Sequence, residues 1–287
     1  MSPSLVVLQP GPLALVEDLG RPGLAHLGVP GSGALDRGAA RLANRLVGNP
    51  DGAAIVEILL GGFRARFQGE AWFAVTGAWG SVTLDGHAIA PYTATRAASG
   101  SELELATAER GIRYVLGVRG GIDVPEVLGS RSRDTMSALG PEPLAAGQVL
   151  PIGAEPEASV PLLDQEAAFP PPDGLVTLAL LPGPRADWFT DASRTALFDA
   201  GWRLSEHADR VGARLLGTPL AGRVPGELAS EATVPGSIQV AGDGLPTILL
   251  ADRPVTGGYP VIAIVAPGSL DAVAQLRPGQ EVRFRHA

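Results

Sequence analysis

Residues 242–260, GDGLPTILLADRPVTGGYP, decide how the chain is read. Within them Thr247-Ile248-Leu249-Leu250-Ala251 is an apolar run as long as one buried strand. It delivers Asp252 and Arg253 into a turn closed by Thr256-Gly257-Gly258-Tyr259-Pro260, and Val261-Ile262-Ala263-Ile264-Val265 follows as a second apolar strand. A polar, glycine-paired loop therefore hangs between two buried strands, the way a rigid scaffold presents a binding site. The paired glycines let the main chain approach a ligand closely and aim amide N–H groups at it. The alternative is a hairpin connection whose Asp–Arg pair only fixes the turn.

Composition around this stretch favours short strands. Hydrophobic residues make up 45% of 287 residues but aromatics only 5%, so the core is built from Val, Leu, Ala and Ile. Glycine (38) and proline (26) lie well above average usage, which means many turns and few long helices. The length suits one large or two ordinary domains. Cysteine is absent, which removes disulfides, thiolate nucleophiles and cysteine-ligated metals. Lysine is absent too: all 22 basic residues are arginine. A lysine-dependent phosphate loop, a Schiff-base lysine and a biotin attachment site are thereby excluded within this chain. The formal net charge is −8, with no basic patch of the kind nucleic acid needs. There is no secretory leader pattern and no apolar run near the roughly 20 residues of a membrane span, so no membrane partner and a cytoplasmic location are expected.

The first half reads as strands around one helix. Leu5 to Leu8 and Leu13 to Val16 are short strands, followed by a Gly/Pro-rich segment carrying Glu17, Asp18, Arg21, His26 and Ser32. Irregular segments with that many polar groups are commonly functional or surface flaps. Gly31-Ser32-Gly33 fails the dinucleotide fingerprint because Asp36 stands where the third glycine belongs. Its amides ahead of a helix still leave an anion site open. Leu35, Ala39, Leu42, Ala43 and Leu46 form one helical stripe, with Ser32 expected as cap and Asp36 in the first turn. Asn44 lies off the stripe centre, facing either a cleft or solvent. Glu57 sits inside the apolar run Ile55-Val56-Glu57-Ile58-Leu59-Leu60 and must be exposed or paired. It is either a site carboxylate or an edge-strand residue. Further strands follow at hairpin spacing, with Asp85-Gly86 as a two-residue turn, so a closed barrel or sandwich is expected. Arg131 and Arg133, set among hydroxyls, either hold an anion or decorate a solvated loop.

Residues 154–174 are acidic, proline-rich and aperiodic, and read as an interdomain linker between a first domain, 1–153, and a second, 175–287. The second half repeats the pattern of short strands, with helices over 186–200 and after Ser269. Both halves end on a glycine turn, a glutamine and a strand (Gly147-Gln148, Gly279-Gln280), a hint of duplication. The four histidines show no metal spacing, and no metal ligand set is expected. What remains for chemistry is carboxylates (Asp209 and Glu227 among them), arginines and glycine-loop amides, a set suited to anion or nucleotide binding and carboxylate acid–base work.

Residues 16–62 resemble the opening block of the allophanate hydrolase subunit 2 or KipA-like proteins, a group that includes the C component of 5-oxoprolinase and is also called the biotin-dependent carboxyltransferase family. GGIDVPEVLGSRSRDT, ADRVGARL, VPGSIQV and GDGLPTILLADRPVTGGYP follow in that family's order, so the resemblance covers nearly the whole chain. It implies a mainly β fold of two cyclophilin-like β-barrel domains with a few short helices. It also implies a C component of 5-oxoprolinase that works with a cyclophilin-like, KipI-like B component to activate 5-oxoproline, or a related lactam or amide, with ATP and Mg²⁺. The A component then opens the ring to glutamate. Two alternatives come with the family. One is a carboxyltransferase component of a biotin-dependent urea or amide carboxylase, with biotin on a separate carrier. The other is a non-catalytic KipA-like regulator that binds a kinase inhibitor. With no lysine, Arg21, Arg210 and Arg253 are expected to supply positive charge. Asp252, Glu57 and Asp36 are expected to polarise substrate or hold metal. Catalysis is thus assigned to Asp252, Arg253, Glu57 and Arg21, and substrate or nucleotide binding to Ser32, Asp36, Asn44, Arg210, Gln239, Thr256, Gly257, Gly258 and Tyr259. Pro254 and Val255 stand where the family loop is expected to have glutamine and threonine, which points either to altered specificity or to loss of 5-oxoproline activity.

Overall fold

A computed structural model describes residues 3–161, 170–224 and 228–287. It is mainly β and divides into two compact units. Unit 1 comprises Met1–Arg21, Asp36–Asp134 and Ala138–Pro171; unit 2 comprises Pro22–Leu35, Thr135–Ser137 and Pro172–Ala287. Two short segments expected with the first half, 22–35 and 135–137, thus belong to the second unit.

Unit 1 is built from β1 (Ser4–Pro10), β2 (Leu13–Glu17), β3 (Ile55–Leu59), β4 (Phe63–Gln68), β5 (Ala71–Trp79), β6 (Val82–Leu84), β7 (His87–Ala88), β8 (Thr95–Ala97), β9 (Glu102–Leu105), β10 (Arg110–Val118) and β11 (Val149–Pro151). They form a six-stranded sheet, β11-β1-β4-β9-β6-β7, and a five-stranded sheet, β2-β3-β10-β5-β8. One core takes side chains from both: Leu5, Phe63 and Phe67 from the first sheet, Val56, Phe73 and Tyr114 from the second. β4 went unassigned in the sequence reading, although Phe63, Ala65 and Phe67 point inward while Arg64 and Arg66 point outward in strict alternation. Those two arginines clamp Glu102 of β9 from across the strand pair.

Among the described residues of unit 1 there is one α-helix, α1 (Arg37–Leu46), and it starts later than its apolar pattern suggested. Its cap is Asp36, whose Oδ1 accepts from the Ala39 amide at 2.8 Å, and not Ser32. Leu35 precedes the helix and packs in the core of unit 2 instead. Ala39, Ala43 and Leu46 do form the buried stripe. The helix lies so close to β10 that a Cβ at Gly117 would fall 2.9 Å from that of Ala43.

Unit 2 is a closed seven-stranded barrel with order β12-β19-β16-β17-β14-β13-β20. Its strands are β12 (Val176–Pro182), β13 (Trp202–Ala208), β14 (Gly212–Leu216), β16 (Ser237–Val240), β17 (Pro246–Leu249), β19 (Val261–Val265) and β20 (Glu281–His286), with β15 (Glu231–Ala232) and β18 (Thr256–Gly257) as a separate ribbon. Parallel pairing of β12 with β20 closes the barrel. The helix expected over 186–200 is two pieces, a 3-10 turn at Ala186–Trp188 and α2 (Asp191–Asp199), which Thr190 caps through Ser193. Trp202 is fully buried and its indole N–H donates to the Leu197 carbonyl, tying barrel to helix. α3 (Leu270–Ala274) follows a 3-10 turn.

The hint of duplication has a local counterpart. Gln148 and Gln280 each accept, through Oε1, the amide three residues earlier, at 3.1 and 3.0 Å. The glycine before each has φ of 84° and 82°, which a side chain rarely adopts. No helix among the described residues is long and apolar enough to cross a membrane.

The segment read as a linker is partly strapped down. Arg119, 5% exposed, donates to the carbonyls of Val47, Pro156 and Ala158 and pairs with Glu155 at 3.0 Å. Residues 162–169 lie outside the described residues. Replacing Arg119 by Ala strands several acceptors at once. We expect a loss of about 2–3 kcal/mol and faster proteolytic cleavage after Glu155, read by denaturant melts and limited digestion.

Candidate functional site

The loop after β17 is not a hairpin. β17 and β19 both pair antiparallel with β16 and not with each other, so the chain between them must pass over β16 and run back along its length. That crossing carries Asp252 to Tyr259. It rules out the reading of 250–260 as a plain two-strand turn.

At the start of the crossing Asp252 is fully buried and Arg210 nearly so. Asp252 Oδ2 accepts from Arg210 Nε at 2.9 Å and Oδ1 from Nη2 at 3.3 Å, a two-pronged ion pair. Oδ2 also accepts from the Thr135 amide at 3.0 Å and the Thr135 hydroxyl at 2.7 Å. Main chain sets the register: the Asp252 amide donates to the Arg210 carbonyl at 3.0 Å. The same guanidinium donates to the Gly33 carbonyl at 2.7 Å, and the Ser32 amide donates to the Ala251 carbonyl at 3.2 Å. Ser32 adopts a left-handed φ of 50° there. The carboxylate thus joins the segments around 135 and 210 to its own, and the Arg210 guanidinium and the Ala251 carbonyl add the segment around 32. With both oxygens engaged by strong donors, Asp252 is arranged to position Arg210 rather than to abstract a proton.

Beyond it the crossing becomes a small flap. Thr256–Gly257 pairs antiparallel with Glu231–Ala232. Thr233 accepts Arg253 Nη2 on its carbonyl at 3.2 Å, and its hydroxyl donates to the Pro254 carbonyl at 2.6 Å. Its amide donates to Val255 at 2.9 Å, so the Pro254-Val255 pair is fixed through main chain. Arg185 grips Glu231 from the barrel side through Nε and Nη2, and this hydrogen bond holds the Glu231 carboxyl below its ordinary range. Under the flap Gln239 Nε2 donates to the Tyr259 carbonyl at 3.2 Å. A Cβ at position 257 would lie 2.6 Å from that nitrogen, so a side chain there would displace the Gln239 amide. Gly258 follows, and the Tyr259 ring is 55% exposed. Ser32, Arg210, Asp252 and Arg253 therefore lie where β16 begins, and Thr256, Gly257, Gly258 and Tyr259 lead along the strand, past Gln239, to where it ends.

In unit 1 the remaining candidates have separate local jobs. Glu57 lies on β3, an interior strand, so the edge-strand alternative fails; it is buried and pairs with Arg113 at 3.6 Å. Asp36 is the helix cap. Asn44 neither lines a cleft nor meets solvent: it donates to the carbonyls of Asp51 and Ala53 and accepts from Asn49, bracing the 49–53 turn. Arg21 is 2% exposed and donates to the carbonyls of Val127 and Ser132. Its neighbour Asp18 is the hub of that loop, accepting from the amides of Gly20 and Arg131 and the hydroxyls of Ser130 and Ser132. Arg131 and Arg133 are committed to Asp123, Glu126 and Glu142 rather than poised for an anion. Asp209, in unit 2, closes a turn by accepting the amides of Val211 and Gly212. Glu227 lies outside the described residues.

The sequence reading missed Thr135, Thr233, Arg185, Glu231 and Arg113. Each matters through a partner tens of residues away, and no local spacing announces that.

A mainly β chain with a closed barrel and a glycine-flanked acid–arginine crossing is the class of protein defined so far. A family model, carboxyltransferase domain, subdomain A and B, matches residues 27–286, and the chain belongs to that family. It is 36% identical over 283 residues to the C component of 5-oxoprolinase from Escherichia coli strain K12, covering 98% of this chain and 90% of that protein. The crystal structure of TTHA0988 superposes with a TM-score of 0.87 at 38% identity, covering 99% of this chain and 56% of the other, so this chain spans little more than half of that one. The Kluyveromyces lactis urea carboxylase superposes with a TM-score of 0.91 at 30% identity, covering all of this chain and 28% of the other.

Two outcomes follow from the geometry. Asp252→Ala leaves the Arg210 charge buried without its partner, which costs about 3–5 kcal/mol; thermal melts are expected to show it, and Asp252→Asn is expected to lose less. For the flap, the lowered pKa of Glu231 means its stabilisation is present above the unfolded value near 4.5 and fades as pH falls through the lower, folded value. The protection factor of the Gly257 amide, corrected for intrinsic exchange at each pH, is therefore expected to fall on acidification in the native protein and to lose that pH dependence in Glu231→Gln.

Proposed function

We propose that the chain is the C component of an ATP-dependent 5-oxoprolinase, active with a B component and an A component. The supporting observation is mutual coverage. The match to the 5-oxoprolinase component spans 98% of this chain and 90% of that protein, whereas the urea carboxylase match spans 28% of a much longer chain. In this reading the lactam oxygen of 5-oxoproline attacks the terminal phosphorus of ATP and ADP leaves. The O-phosphorylated ring is then a substrate for water, which opens it and expels phosphate. Such a transfer needs fixed donors around the phosphoryl group more than covalent help. Arg210, held in plane by Asp252 and the Gly33 carbonyl, is one such donor. The amides of the Thr256–Tyr259 loop are others. Arg253 steadies the flap, and Tyr259 stands at its tip.

Asp252, Glu57 and Asp36 are each engaged by arginine or amide donors, which makes them poor ready-made metal ligands. Mg²⁺ carried on ATP needs few protein carboxylates, since it keeps phosphate and water ligands. It would supply charge neutralisation when bound, and no step above runs through it.

The resemblance to urea carboxylase supports a second reading, a carboxyltransferase component served by a biotinylated carrier. The deciding experiment measures ADP release from ATP with 5-oxoproline, using this chain co-purified with its B and A components. Turnover only with all three chains supports the first reading. Turnover only with bicarbonate, an amide and a biotinylated carrier overturns it. Arg210→Met is expected to lower kcat at least a hundredfold while the protein still assembles, because a fixed transition-state donor of this kind is worth about that much.

A further inference from the structure

We propose that the cavity beside the Gly258-Tyr259-Pro260 tip binds the purine base of the nucleotide, a proposal that rests on the ATP-dependent reading above. The cavity holds about 460 Å³, within the size range of ligand pockets. Its floor is apolar, made by Leu220, Val240 and Pro260, with Trp188 and Tyr259 among its lining.

Three features select a neutral, planar, hydrogen-bonding ring. First, among the described residues no arginine lines the cavity, and the charged liner Asp243 is spent on an ion pair with Arg214. None of these liners is a cation for an anion to meet. Second, Gly242, Gly244 and Gly258 form part of the wall, so main chain rather than side chain borders the space. Among the described residues no hydrogen bond engages the N–H or C=O of Gly242 or Gly258. These peptide edges offer donors and acceptors of the kind a base edge uses. Third, Tyr259 keeps 55% of its surface exposed while Gln239 pins its carbonyl from below. An aromatic ring left in water on a fixed backbone is a stacking platform, and such platforms accept bases through their π-faces.

The position suits the rest of the nucleotide. The cavity wall at 258–260 lies where β16 ends, and the chain before it runs back along that strand through the Thr256-Gly257 ribbon and Arg253 to the Asp252–Arg210 pair, where β16 begins. A base seated against Tyr259 leaves its phosphates leading toward the arginine end of the same crossing. The base pocket takes no charge and the crossing supplies it, which is the division a nucleoside triphosphate presents.

The test uses the full chain with adenosine as the first probe and inorganic triphosphate as the second, followed by calorimetry. Saturable adenosine binding is expected. Tyr259→Ala is expected to weaken it about tenfold or more, and Tyr259→Trp to restore it. Leu220→Trp, which fills the cavity from its floor, is expected to abolish adenosine binding while leaving triphosphate binding in place; circular dichroism confirms that the variant is folded. In the three-component assay Tyr259→Ala should raise the KM for ATP. Adenosine that fails to bind, or binds equally well to the Tyr259→Ala and Leu220→Trp variants, overturns the proposal. If adenosine binds as expected but 5-oxoproline drives no ADP release, the base pocket stands and the lactam reading falls. If ADP release occurs and the KM for ATP does not move in Tyr259→Ala, the lactam reading stands and the base pocket falls.

Discussion

The geometry of unit 2 depends on one buried ion pair. An unpaired guanidinium or carboxylate inside a barrel end is costly, and the cost is removed only if both charges are fully hydrogen-bonded. Asp252 and Arg210 meet that condition by recruiting Thr135 and the Gly33 carbonyl. Satisfying the charges and joining the loops are the same act. A well-packed apolar pair at these positions could be equally stable, but it would carry no directional bonds and would leave Ser32 and Gly33 unplaced.

The strand order explains why the pair stands where it does. If β17 and β19 were neighbours, a two-residue turn would suffice and there would be nothing to present. Because β16 lies between them, the chain has to travel, and a travelling loop needs anchors. It has one at each stage: Arg210 at Asp252, Thr233 at Pro254 and Val255, Glu231 at Gly257, Gln239 at Tyr259. The anchors bind mostly main chain. Side chains at 255 and 256 are consequently free to differ without moving the loop, and the Pro254-Val255 departure from the family pattern sits at such a point.

Much of this was legible in the sequence, and the limits are physical. Apolar runs and alternation placed most strands, since burial on one or both faces writes a period into the chain. The loop around Asp252 stood out because polar residues and paired glycines interrupt two such runs. Leu35 was misassigned because helical spacing cannot tell which core a residue enters, and it lies one residue before the Asp36 cap. Asn44 looked like a site residue because a buried amide and a ligand-binding amide have the same letter; only its bonds to Asp51 and Ala53 separate them. The two-strand turn reading failed for a topological reason, since strand adjacency is not encoded in the segment itself. Thr135 had no local signal at all, its partner lying 117 residues away.

The absence of lysine then acquires a structural meaning. A chain with arginine as its only strong cation must bind anions with a planar, five-donor fork rather than a mobile point charge. Arginine is useful for that only when its fork is aimed, and aiming consumes donors. Arg119 is consumed almost entirely by the carbonyls it straps, and Arg131 and Arg133 are tied to nearby carboxylates and carbonyls. Arg210 is aimed as well: its Nε and Nη2 donate to Asp252 and Nη2 also to the Gly33 carbonyl, which fixes the plane of the fork. An oriented cation contributes most when charge develops at a defined point, because no reorganisation is then required. A flexible lysine would have to be ordered at that moment. In a chain without lysine, a buried acid that holds a guanidinium in place supplies that order in advance.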